Sequence, residues 1–113
     1  MKKHPETIAH LQIKINAQTN QIHDLRERLD LMEADITIAI HTEKTEAGKP
    51  VFPNDELRKA EFLKRCAASE PVKKLAGELR MLETQRIQTL ALLEQRRLEF
   101  KLFLLDRQAE IQA

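Results

Sequence analysis

Apolar residues recur along the first forty positions at alternating steps of three and four. Ile8, Ile15, Ile22, Leu29 and Ile36 hold one position of a seven-residue repeat, and Leu11, Gln18, Leu25, Met32 and Ala39 hold the other. Five heptads with one polar member describe a coiled-coil seam, because a 3.5-residue spacing keeps the stripe facing one partner along its whole length. The pattern predicts a helix over about 5–44, with Pro5 in a first turn where its missing N–H leaves no bond unmade.

The rhythm then stops. Gly48, Pro50 and Pro53 fall in a linker of about 45–54, the turn-rich stretch of the chain. Asn54, followed by Asp55 and Glu56, reads as the N-cap of a short helix over about 55–68, with Leu57 and Phe62 or Leu63 folded inward. Ser69 and Pro71 close that helix and cap a third, over about 70–111. Its main stripe reads Val72, Leu75, Leu79, Leu82, Leu90, Leu93, Phe100, Leu104 and Ile111, with Arg86 and Arg97 in the gaps. The two long helices are nearly equal in length. The expectation is an all-α fold in a single domain: a long antiparallel, coiled-coil-like hairpin with the short helix at its closed end. With Gln18 the two arginines are polar members of the seam, the arginines laying their stems on the core with their heads in water.

Both long helices carry a second stripe. Ile87, Ala91, Leu98, Leu102, Leu105 and Ala109 lie nearly opposite Phe100, and Ala9, Ile13 and Ala17 lie opposite the seam of the first helix. A two-helix hairpin buries one face of each helix, so an opposed stripe calls for another partner. Ala9, Ile13, Ile87, Ala91, Leu98, Leu102, Leu105 and Ala109 are therefore the candidate interface of a homo-oligomer, a dimer or larger, assembling as a helical bundle.

Composition narrows the choices. Two Gly and four Pro in 113 residues leave too few turns for a sandwich or a βαβ sheet. Nineteen basic and eighteen acidic residues give a net charge of +1, so no whole-molecule field points to nucleic acid or membrane. The start shows no apolar stretch of a secretory signal, no run is long enough to span a bilayer, and one cysteine, Cys66, suits a reducing compartment; the expectation is a cytoplasmic protein. The local exception in charge is Arg58, Lys59, Lys64, Arg65, Lys73 and Lys74, set against Glu61 and Glu70. These six are the candidate contacts to a nucleic-acid backbone, without an interleaved Tyr or Trp.

Catalytic chemistry has no foothold in the pattern. His4, His10, His23 and His41 are strung along one helix with no pair at the four-residue spacing that shares a metal, and Cys66 has no His or Cys beside it. Glycine-rich phosphate loops and nucleophile elbows are missing. The expectation is a protein without cofactor, metal or catalytic residues.

Gly48-Lys49-Pro50-Val51-Phe52, then Asn54-Asp55-Glu56-Leu57-Arg58-Lys59-Ala60, then Leu82-Glu83 and the Glu94, Arg97, Phe100 spacing form a familiar order. Over about 44–103 the chain resembles a loose family of small coiled-coil proteins of bacteriophages and integrated mobile elements, although Val72 stands where an aromatic is usual. The resemblance implies an accessory role beside recombination or replication proteins. Two functional expectations follow: a self-associating structural module that presents its surface to a protein partner, or an accessory nucleic-acid-binding factor acting through residues 58–74.

Overall fold

The heptad seam of the first segment folds as one continuous helix, α1 (Lys3–Thr42). The computed structural model describes residues 3–112, with side chains from Thr7 to Gln112; the side chains of His4 and Pro5 lie outside the described residues. After α1 come α2 (Asp55–Ala68) and α3 (Glu70–Gln112), and the chain is an all-α helical hairpin. Among the described residues, no helix is long and apolar enough to cross a membrane.

α1 stops two residues before the expected 44, because the backbone turns into a tight loop. Val51 N–H donates to the Glu43 carbonyl (3.1 Å), and Thr45 N–H to that of Lys49 (2.7 Å). These bonds pair Lys44 with Pro50 in an isolated antiparallel bridge. Proline is tolerated because both bonds use its neighbours' amides or carbonyls and none needs its absent N–H. Gly48 sits at φ 81°, a conformation that side chains disfavour, and its N–H closes the turn onto the Thr45 carbonyl (2.9 Å).

The junctions into α2 and α3 follow the sequence. Asn54 is extended, and its Oδ1 accepts from Leu57 N–H (2.9 Å). Asn54→Ala should lower stability by about 1 kcal/mol in chemical denaturation, and an unchanged midpoint would contradict the cap. Ser69 ends α2 and starts α3, its carbonyl accepting from Lys73 N–H (3.0 Å). Leu57 is exposed, against the expectation that it folds inward; of the alternatives Phe62 or Leu63, Phe62 is the half-buried one and Leu63 is exposed. The half-buried face of this helix is Arg58, Glu61, Phe62, Arg65 and Cys66, and Leu57 and Leu63 fall beside it.

The helices contribute to two compact units. One holds α1 up to Ile22 and α3 from Met81; the other holds His23–Arg80. In the first, Leu11, Ile15 and Leu93 form the buried centre, with Ile8 and Leu90 against it. Gln12 and Gln18 on α1 bond Arg97 and Thr89 on α3, which fixes the pair as antiparallel. In the second, Ile40, Val72, Leu75 and Leu79 are buried and α2 carries no fully buried residue. Ile40 is only 2% exposed, one residue past the expected seam position Ala39.

The main stripe of α3 needs correction at its end. Leu104 and Ile111 are exposed, whereas Phe100 and Phe103 are half-buried. The true seam keeps strict heptads: Val72, Leu79, Arg86, Leu93 and Phe100 on one side, and Leu75, Leu82, Thr89, Arg96 and Phe103 on the other. Leu104 falls beside that line. Ile111 lies fourteen positions beyond Arg97, whose partner Gln12 is only nine residues from the start of α1.

Candidate functional site

Helical spacing turns the second stripe outward. In the first unit, Ile13, Ile87, Leu98, Leu102 and Leu105 are all exposed, Leu102 to 53% of its surface, and so are Ala9, Ala91 and Ala109. On α3 this face lies behind the buried line through Leu93, because the two sets occupy opposed heptad positions. Single exposed leucines are ordinary on protein surfaces, but here they recur at steps of four and three along one helix face, the spacing of a coiled-coil seam.

The seam between α1 and α3 contains a polar layer. Gln18 and Thr89 are each 7% exposed, and Gln18 Nε2 donates to Thr89 Oγ1 at 3.1 Å. The Thr89 hydroxyl spends its proton on the Gln85 carbonyl (2.9 Å), so toward Gln18 it accepts only. Gln18 must then turn its amide nitrogen to Thr89, which leaves its Oε1 buried without a hydrogen-bond partner. An orphaned buried acceptor of this kind costs about 1–3 kcal/mol. A cavity of about 390 Å³ opens at this layer, lined by Lys14, Gln18, Gln85, Gln88, Thr89 and Leu92. The arginines on either side bond across the seam rather than reaching only into water. Arg86 Nε donates to Thr19 Oγ1 (2.9 Å) and Arg97 Nη2 to Gln12 Oε1 (3.2 Å).

In the second unit, the candidate nucleic-acid contacts do not form a uniform cationic face. Arg58 meets Asp55 at 2.7 Å and the Phe52 carbonyl at 3.3 Å, and Lys73 meets Glu70 at 3.0 Å. Arg65 is held by Glu43 (2.7 Å) and Glu61 (2.8 Å), with its guanidinium 5.6 Å from the centre of the Phe52 ring. Lys59, Lys64 and Lys74 are exposed. Arg58 and Arg65 thus fasten α2 to the loop and to the segment after α1, and Lys73 is paired within α3, which takes three of the six charges from the set available to phosphates. A cavity of about 410 Å³ lies beside it, with Ile40, Phe62 and Leu63 at its apolar side and His41, Asp55, Arg58 and Lys59 among its polar lining.

Titration follows these pairs. Hydrogen bonding from Arg65 holds the Glu43 carboxyl below its ordinary value of 4.5, against a smaller opposing effect of burial. The bond from Arg58, and its charge, do the same to Asp55. A depressed folded-state pKa contributes stability above the ordinary value, lost as pH falls through the folded one. The melting temperature should therefore decline as pH drops below about 4.5. Arg65→Gln should remove part of that slope; parallel wild-type and variant curves would contradict the pairing. Burial pushes the Cys66 thiol up, with Glu33 adding to the shift, so the thiol stays protonated near neutral pH. Among the described residues, no group of three or more His, Cys, Asp or Glu could hold a metal ion.

Thr89 and Ile40 were not singled out by the apolar pattern. Thr89 is signalled by the heptad step from Leu75 and Leu82, which a search for apolar residues passes over. Comparison with protein-family models, curated proteins and solved structures finds no match to this chain.

Proposed function

We propose that the protein is a non-catalytic structural module that self-associates through the outward stripe of its first unit and works in the cytoplasm by presenting helical surface to protein partners. The supporting observation is the row Ile87, Leu98, Leu102 and Leu105, exposed on the face of α3 opposite its own buried seam. Water-exposed leucines at this spacing gain free energy when a second helix covers them, roughly 25 cal/mol per Å² of apolar surface removed from solvent. The half-neutralised cluster at 58–74 favours this reading over the nucleic-acid alternative.

Covering should be visible at the stripe itself. In a Cys66→Ala background, a cysteine placed at Leu98 should react with maleimide more slowly as protein concentration rises, because association shields it. A rate independent of concentration, up to about 100 μM, would contradict self-association through this face.

A further inference from the structure

We propose that the cavity between the end of α1 and the start of α2 binds a small free amphiphile, a carboxylate whose apolar body lies on Ile40 and Phe62 and whose head group meets Lys59. The site lies wholly within the second unit, so it stands or falls independently of self-association. Its volume of about 410 Å³ falls within the ~300–1,000 Å³ of small-molecule pockets, which join apolar walls to a few polar groups.

The walls come from both helices. Ile40 of α1 is buried, whereas Phe62 is half-buried and Leu63 exposed, which leaves apolar surface for a ligand to cover. Arg58 with Phe62, and Lys59 with Leu63, stand one turn apart on α2, so each apolar side chain has a cation beside it. The mouth is held by the chain's own bonds. Arg58 is fixed by Asp55 (2.7 Å) and the Phe52 carbonyl (3.3 Å), and His41 Nδ1 donates to the Thr37 carbonyl (2.8 Å). Groups already in place cost a ligand less ordering.

Charge selects the head group. Asp55 is the one carboxylate among the lining residues, and Arg58 offsets it. Lys59 acts on Asp55 only at a distance, without an ion pair, and leaves the mouth with one positive charge. His41 adds to that charge when protonated. A monoanion therefore complements the site, an uncharged molecule gains the apolar contact alone, and a cation is repelled.

Titrations of the protein with decanoate and with 1-decanol at low salt, followed by NMR, test this. Decanoate should shift the signals of Ile40, Phe62 and Leu63 saturably, with a dissociation constant of about 1 mM or tighter. Lys59→Gln should weaken decanoate about threefold to fivefold and leave decanol unchanged, the scale of one exposed ion pair. Leu63→Glu, at an exposed position, should weaken decanoate further by setting a carboxylate at the mouth. No saturable shift at these residues, shifts confined to the outward stripe, or equal responses of wild type and Lys59→Gln would overturn the proposal. Phosphatidylcholine vesicles should leave the same signals in place; shifts with vesicles alone would mean that the cavity meets a lipid surface, and would overturn it too.

Discussion

Leu93→Ala should destabilise the protein by about 2–3 kcal/mol, lowering the melting temperature by on the order of 10 °C at fixed protein concentration. Leu93 is 2% exposed and packs with Leu11 and Ile15, with Ile8 and Leu90 against them, at the centre of the first unit. Removing its branched end loses the transfer free energy of the buried carbons and opens a cavity. The seam is only two helices thick, so side chains and water can close part of the gap. That places the loss near the lower end of the range for buried leucines. It remains a large fraction of the 5–15 kcal/mol typical of a folded domain. Thermal and urea melts would check it. A loss below about 1 kcal/mol would mean that Leu93 is not at the seam.

The helices and their junctions are legible in the sequence because each rests on local physics. Apolar residues every seven positions define α1, Asn54 caps α2, and Gly48 supplies the positive φ of the loop. The far end of α3 is less legible. Leu104 and Ile111 continue an apolar stripe, yet their burial depends on where α1 begins and on the register between the helices, which no local pattern states. The polar layer is harder still, because Thr89 is read as surface until Gln18 is placed opposite it. The basic cluster shows the same limit: charge counting finds Arg65 but not its attachment to Glu43, twenty-two residues away in the chain. The outward stripe was readable because it needs only helical geometry.

Leu102→Glu should convert the associated protein into single, still helical chains. Leu102 lies between Leu98 and Leu105 on the outward face, with half of its surface exposed in one chain. Each of these leucines is already about half covered in its own chain, so a partner adds roughly half of the 1.5–3 kcal/mol of a full burial, and three per copy supply part of a micromolar association. A carboxylate there must be desolvated without a partner or else hold the interface open, and the second outcome is far less costly. The buried centre at Leu11, Ile15 and Leu93 is untouched, so circular dichroism should still show a largely helical protein. Loss of helix together with loss of association would show instead that the assembled state is the folding unit.

The wild-type mass in solution tests self-association most directly. Sedimentation equilibrium at about 50 μM should return at least twice the chain mass of 13.1 kDa, and Leu102→Glu should return 13.1 kDa under the same conditions. A wild type that stays at 13.1 kDa across the concentration range would contradict it.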